Sequence, residues 1–273
     1  MNLFVTGATG FIGKNFCKKA LKKGYKIFAP TRKKKIPFNH KNITWLRGTF
    51  CHNWKKSLSN SNILVHFAAS GVKCDYENDI YEVNIFKSIK LLKNAISNNC
   101  KKWIIISTSS EYGIKKKKTY FNTKTNRVPE TNYGLSKAIF TDQSIKLSKK
   151  YKCKLRVMRL FSIFGSGENK SRLYPSLLDH IKKNKNFYIQ KPNEIRDFTE
   201  VDYAAEVILD SLDFEKKKFK NNQIWHVSKN EVFSIKSFVK KIYKIKSAKI
   251  RLFFNKKNKK SHNHLSDKKS IWR

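Results

Sequence analysis

The stretch ETNYGLSKAIF, residues 130–140, sets Tyr133 four positions ahead of Lys137 at what reads as the start of a helix. Residues four apart share one helix face, so the ammonium can lie beside the phenol and beside a ribose. A free phenol has a pKa of about 10, and nearby positive charge favours the phenolate, which brings Tyr133 towards the range where it can exchange a proton with a substrate oxygen. Upstream, IIISTSSEYG places four consecutive hydroxyl residues, Ser107, Thr108, Ser109 and Ser110, at the end of an apolar run. Open sheets bind ligands at the carboxyl ends of their strands, and hydroxyls there can orient a carbonyl. Each pattern alone is weak, because YxxxK arises by chance on helices and Ser and Thr also suit turns.

The beginning of the chain adds the third part. VTGATGFIGKNF puts Gly7, Gly10 and Gly13, with Phe11 and Ile12 between them, directly after a strand and at the mouth of a helix. That is the setting of a dinucleotide fingerprint: a tight turn, a close approach to a pyrophosphate, and a helix start with free N–H donors. The second strand ends in IFAPTRKK, where an NAD enzyme carries a carboxylate for the ribose hydroxyls; here stand Thr31 and Arg32. A hydroxyl and a guanidinium suit a 2'-phosphate, so NADP is expected in preference to NAD. The competing reading is that Arg32 only opens the solvated run RKKK. In VHFAAS, the small residues Ala68, Ala69 and Ser70 let backbone lie against a cofactor, and Asn84 is polar amid apolar neighbours on the following helix, either beside the nicotinamide or as a satisfied helix asparagine.

These groups need a scaffold. Apolar runs at Leu3–Thr6, Tyr25–Ala29, Ile43–Leu46, Ile63–Phe67, Trp103–Ser107 and Leu155–Arg159 alternate with amphipathic stretches near 11–23, 78–98 and 133–150. The alternation predicts an α/β fold, a parallel sheet with helices on both faces. Residues 1–160 are expected to form the dinucleotide-binding domain. Residues 161–254 would be a smaller lobe, with the chain crossing back to the main domain, and 255–273 a basic, loosely ordered tail. No internal repeat is found.

The chain has 273 residues, 40 % of them hydrophobic, enough to bury a core. Its 60 Lys and Arg against 19 Asp and Glu give a formal charge of +41. A nucleic-acid binder would concentrate that charge on one face with aromatic platforms, whereas here KK pairs recur along the chain with no RNP-like or zinc-finger spacing. The charge reads as a solvated surface that attracts anions, phosphorylated substrates included. Five cysteines, at 17, 51, 74, 100 and 153, stand apart without CxxC, so neither a zinc site nor a disulfide framework is expected. No signal peptide or membrane-spanning run is read, and a cytoplasmic location is expected.

Taken together, TGATGFIG, VHFAAS, VNIFKS, STSSEYG, NYGLSK, RLFSIFGSGE and IRDFTEVDYA resemble the extended short-chain dehydrogenase/reductase superfamily, in its NAD(P)-dependent epimerase/dehydratase branch. The resemblance spans roughly residues 1–210. It implies a Rossmann-type doubly wound sheet with a C-terminal α/β substrate lobe, a nucleotide-sugar substrate, no metal and a homodimer. It implies that Tyr133 is the acid/base, Lys137 its electrostatic and ribose-binding partner, and Thr108 the hydroxyl on the reacting oxygen. Ser109, Ser162 and Arg196 are then expected at the substrate, Arg196 as a guanidinium fork for a diphosphate or else in an ion pair with Asp197 or Glu200. Sugar 4,6-dehydratases carry an Asp-Glu pair where this chain has Ser109 and Ser110, which argues against dehydration. Thr49 replaces an Asp that relatives keep near the adenine. The motifs are similar to the CDP-abequose and CDP-paratose synthase type, which makes a 4-keto nucleotide-sugar reductase using NADPH the first expectation. A 4-epimerase with tightly held NAD comes second, and a non-catalytic NADP-binding regulator or RNA-associated scaffold third.

Overall fold

The computed structural model describes residues 1–72, 78–115, 118–215, 221–255 and 264–272; Cys74 and part of the lysine run 115–118 lie outside them. In chain order the first half holds β1 (Asn2–Thr6), α1 (Phe11–Lys22), β2 (Lys26–Thr31), β3 (Ile43–Arg47), α2 (Lys55–Ser59), β4 (Ile63–His66), a π-helical turn (Glu82–Lys87) running into α3 (Ser88–Ser97), and β5 (Lys102–Thr108). The second half holds β6 (Thr119–Phe121), α4 (Asn132–Lys150), β7 (Lys154–Leu160), β8 (Ser162–Phe164), α5 (Leu173–Lys182), β9 (Phe187–Ile189), β10 (Ile195–Glu200), α6 (Val201–Asp210), β11 (Gln223–Val227), β12 (Glu231–Ser234), α7 (Ile235–Ile245), β13 (Leu252–Phe254) and β14 (His264–Ser266).

Among the described residues, seven strands form one sheet in the order β11-β7-β5-β4-β1-β2-β3, with every neighbouring pair parallel. Strands such as LFVT and WIII are apolar throughout because helices cover both faces. On one face α1 and α6 pack Phe16, Ala20 and Ile208 over Leu3 and Val5. On the other, α3 and α4 bring Leu91, Leu92 and Phe140 onto Trp103 and Leu155. Helix α1 ends as its sequence predicts, with Lys19 and Lys22 in the last turn and Gly24 at φ +79°. The order reverses beside β1 and β4, which is where a doubly wound sheet opens its crevice.

The smaller lobe has its own core, in which Leu177 of α5, Phe187, Phe198 and Phe238 and Val239 of α7 pack together. Two elements after residue 160 return to the main domain: α6 packs on α1, and β11 pairs with β7 as an edge strand of the main sheet. The expectation of a loosely ordered tail does not hold for 264–272. There β14 pairs in parallel with β6, Ile271 bridges to His226, and the buried Trp272 donates its indole N–H to Asp210 at 2.7 Å. Arg156 fastens it further, its guanidinium lying 4.6 Å from the Phe214 ring and 4.7 Å from that of Trp272. Cys17, Cys51, Cys100 and Cys153 are free and buried, and no helix among the described residues is long and apolar enough to cross a membrane.

Candidate active site

The turn between β1 and α1 is built backbone against backbone. Gly7 has φ +70°, and a Cβ on it would fall 2.7 Å from the Ala68 nitrogen at the end of β4. A Cβ on Gly13 would fall 2.3 Å from the Gly7 carbonyl oxygen, so the first turn of α1 seats only with glycine there. Gly10 N–H donates to Gly7 at 2.9 Å and serves as the N-cap, with no side-chain cap and no acidic residue in the first turn. The free amides and positive end of α1 are therefore left for an anion. Phe11 and Ile12 pack on the core from that first turn. This cradle fits the pyrophosphate of a dinucleotide.

The floor beside it is held by buried polar groups. The Ala68 amide donates to Thr6 at 3.3 Å, Thr6 is hydrogen-bonded to His66 at 2.7 Å, and His66 to Ser88 at 2.9 Å. Burial, with the Lys137 charge adding, pushes the His66 imidazole well below its ordinary pKa, so the ring is neutral. Ala69 is half-buried in the turn between Ala68 and Ser70. Asn84 sits on the π-helical turn with 1 % exposure. Its side-chain oxygen accepts from Ser70 N–H at 2.8 Å, and its amide donates to Ser70 O and to Ser136 Oγ, each at 2.9 Å. These bonds tie the Ser70 turn to α4. A π-turn at such a place is a recurrent feature of functional sites.

At the far end of the crevice Thr31 is buried and accepts the Lys33 amide at 3.1 Å, while Arg32 is exposed. They line a cavity of about 520 Å³ with Lys33, Lys34, Arg47 and Gly48. Arg47 braces its wall by donating to the carbonyls of Lys33 and Lys34. Thr49 is half-buried just past this wall.

The reacting residues converge from two elements. Thr108 ends β5, where its hydroxyl is near enough to favour the charged form of the Tyr133 phenol, and it donates to Ser110 at 3.1 Å. Ser109 opens the short turn that follows. Thr131 caps α4 by accepting Gly134 N–H at 3.0 Å, which fixes where the helix begins and so where Tyr133 points. A Cβ on Gly134 would meet the Ser110 carbonyl at 2.6 Å, so glycine is what lets α4 close on the turn after Thr108. Lys137, one turn on, is 3 % exposed, with its ammonium 5.5 Å from the Phe140 ring. Burial pushes the Tyr133 phenol up to about 12, with Glu111 adding and Thr108 and Arg172 opposing. Burial also pushes Lys137 down to about 8, against the pull of Glu111. The sequence pointed to a lowered phenol pKa; in the protein by itself burial outweighs the nearby positive charge, and the phenol is a neutral acid.

Glu111 is the group the sequence reading missed. It is fully buried and accepts from Ser107, from Thr141 at 3.0 Å, from Arg127 at 3.0 Å and from Arg159 at 2.6 Å. Arg127 also grips Asp142 of α4 at 2.7 and 2.9 Å. Arg159 donates to Tyr112 at 2.6 Å, Tyr112 meets His226 at 2.7 Å, and His226 meets Ser266 of β14 at 2.8 Å. The charges of Arg159 and Arg127 and the Ser107 hydrogen bond hold the Glu111 carboxyl below its ordinary range despite burial. The cluster locks β5 to α4 just behind Thr108 and Lys137. Its signal was present in LRVMRLF, where two arginines in a strand buried on both faces demand buried partners.

Ser162 and Arg196 come together in the smaller lobe, lining a narrow pocket of about 20 Å³ with Glu168, Arg172, Tyr174 and Phe198. Arg196 pairs with Glu194 at 2.5 Å, not with Asp197 or Glu200. Asp197 turns the other way, accepting from Ser228 at 2.5 Å and from the Ser266 amide at 3.2 Å. Arg172 is half-exposed and lies 3.4 Å from Glu168 across this lining.

A family model, the NAD dependent epimerase/dehydratase family, matches residues 3–227, and the chain belongs to that family. Among curated relatives, GDP-6-deoxy-D-talose 4-dehydrogenase of Aggregatibacter actinomycetemcomitans is 26 % identical over 76 % of this chain and 69 % of its own length. CDP-abequose synthase of Salmonella typhimurium is 26 % identical over 87 % of this chain and 78 % of its own. UDP-glucose 4-epimerase of Vibrio cholerae is 29 % identical over 61 % of this chain, which spans about half, 53 %, of that relative. The solved UDP-glucose 4-epimerase of Thermotoga maritima shares the fold with a TM-score of 0.85 at 18 % identity, over 98 % of this chain and 90 % of that one.

Proposed function

We propose that this member of the NAD dependent epimerase/dehydratase family reduces a keto group, at C4, of a CDP- or dTDP-linked 4-keto-6-deoxyhexose with NADPH. The observation that carries the reading is that Thr108, at the carboxyl end of β5, and Tyr133, in the first turn of α4, come within each other's influence beside a glycine cradle that fits a dinucleotide. Gly7, Gly10, Phe11, Ile12 and Gly13 would hold the pyrophosphate, Ala68, Ala69 and Ser70 would border the crevice, and Thr31 and Arg32 would take the 2'-phosphate. The bound dinucleotide supplies the hydride. Thr108 donates to the substrate carbonyl oxygen, which polarises the carbon for attack. Tyr133 then gives its proton to the alkoxide, which a phenol raised to about 12 can do because it stays protonated across the working range. Lys137, charged below about 8, stabilises the phenolate that forms and reaches towards the ribose. Ser162 and Arg196 would meet the nucleotide diphosphate from the smaller lobe.

Three features favour reduction over the alternatives. Ser109 and Ser110 stand where dehydration would need carboxyl groups, the cavity at Arg32 is basic, and a net reducer draws on the NADPH that such a basic cavity suits. A 4-epimerase remains the second reading, favoured by the likeness to the Vibrio cholerae enzyme. Incubating the protein with NADPH and CDP- or dTDP-4-keto-6-deoxyglucose tests the choice. Stoichiometric loss of NADPH with formation of a C4 hydroxyl supports reduction. Interconversion of C4 epimers without net NADPH loss selects the epimerase, and neither outcome with any such sugar removes both. NADPH is expected to bind more tightly than NADH.

A further inference from the structure

A further glutamate, besides the buried Glu111 and Glu194, lies in the pocket of the smaller lobe. The Glu168 side chain is 7 % exposed. Its one oxygen lies 3.4 Å from Arg172 Nε, and the Gly165 amide is also directed at the carboxylate. Among the described residues its other oxygen, Oε2, is buried with no hydrogen-bond partner. An ionised carboxylate can accept about four hydrogen bonds, so this one reaches into the pocket with an acceptor left open.

Its location along a bound ligand follows from what holds it. The loop Gly165–Glu168 is fastened to the cofactor helix, because Asn15 donates to the Ser166 carbonyl at 3.1 Å and Gly167 lies against Lys14 and Phe11. On its other side Glu168 is paired with Arg172, which lies close enough to Tyr133 to act on the phenol electrostatically. Glu168 therefore stands between the reacting residues and Arg196, which lines the same pocket and whose charge also acts on it. The sign of the local charge also matters: among the lining residues Arg172 and Arg196 are positive and Glu168 is negative, so an anionic group that approaches Glu168 meets a carboxylate there and not a cation.

We propose, resting on the nucleotide-sugar reading above, that Glu168 restricts the substrate to nucleotide-linked sugars that are neutral and present a hydroxyl to its open oxygen, and excludes sugars carrying a carboxylate. A sugar hydroxyl supplies the missing donor. A hexuronate would set its own carboxylate against that of Glu168, a like-charge contact in a buried site.

The test is equilibrium binding to the full chain with NADP present, using glucose and glucuronate linked to the same nucleotide, CDP or dTDP, for the wild type and for Glu168→Gln. The wild type should bind the glucose member more tightly by about tenfold or more. In Glu168→Gln, which keeps a side chain of the same length without the charge, the ratio should fall towards one, chiefly by a gain in affinity for glucuronate. Equal affinities in the wild type, or a ratio unmoved by the substitution, overturn the assignment to Glu168 while leaving the nucleotide-sugar reading standing. Failure of all four compounds to bind overturns both. If Glu168→Gln folds poorly, Glu168→Ser read in the same way gives the answer, since it too removes the charge.

Discussion

Glu111 and Glu168 are both buried carboxylates within reach of arginine, yet they are finished differently. Glu111 sits behind the reacting residues with four donors on its two oxygens, two of them guanidinium groups. Glu168 sits in front of them, with Arg172 and the Gly165 amide near it and one oxygen open. A saturated buried charge has nothing left to offer a ligand and serves to fix geometry; an unsaturated one that lines a pocket keeps an acceptor open to a ligand. The same residue type thus marks scaffold in one place and specificity in the other, and the hydrogen-bond partners tell the two apart.

The contrast is broken most forcefully at Glu111. Glu111→Ala should destabilise the protein by about 3–5 kcal/mol, because it leaves Arg159 charged and buried without its anion. Urea unfolding would show this, and a loss below about 1 kcal/mol would mean that Glu111 is not the keystone of its cluster. Next in size is the response to acid at the far end of that cluster. Burial, with the Arg159 charge adding, pushes His226 down to about 3 from an ordinary 6.5. Between those values the unfolded chain binds a proton that the folded chain refuses. The stability contributed by the neutral ring is therefore complete above about pH 6.5 and lost as pH falls towards 3, with a slope of at most about 1.4 kcal/mol per pH unit. Asp197, raised by burial to about 6, works in the opposite sense between 3.8 and 6, so the comparison needed is the wild type against His226→Gln, which should have the shallower acid slope. Identical slopes would contradict the account of His226. The smallest expected effect is at Glu168, where Glu168→Gln should leave unfolding within about 1 kcal/mol of the wild type, since its partner Arg172 is half-exposed. A collapse like that of Glu111→Ala would erase the distinction between the two sites.

The parts of this arrangement that local sequence patterns could reveal are those made by local rules. The glycine turn, the first six strands of the parallel sheet and the helix carrying Tyr133 and Lys137 follow from periodicity, caps and the needs of close backbone packing. Strands of three residues, such as β6, β8 and β14, carry no period of their own and exist because a distant partner pairs with them. The tail read as loose because Lys, Asn, Ser and His dominate it, yet His226, Asp197 and Arg156 hold residues 264–272 in place through contacts far apart in sequence. Gly134 and Glu111 were in plain view inside the motifs NYGLSK and STSSEYG. Their roles depend on the approach of α4 to the end of β5, a distance that no local spacing encodes.

The central claim is that Tyr133 supplies the proton as the keto carbon is reduced. The most direct test is the rate of NADPH oxidation with a CDP- or dTDP-4-keto-6-deoxyhexose, measured for the wild type and for Tyr133→Phe, with unfolding followed in parallel. The account predicts a fall of about 100-fold or more at unchanged stability; a Phe variant that reduces the sugar at the wild-type rate would contradict it.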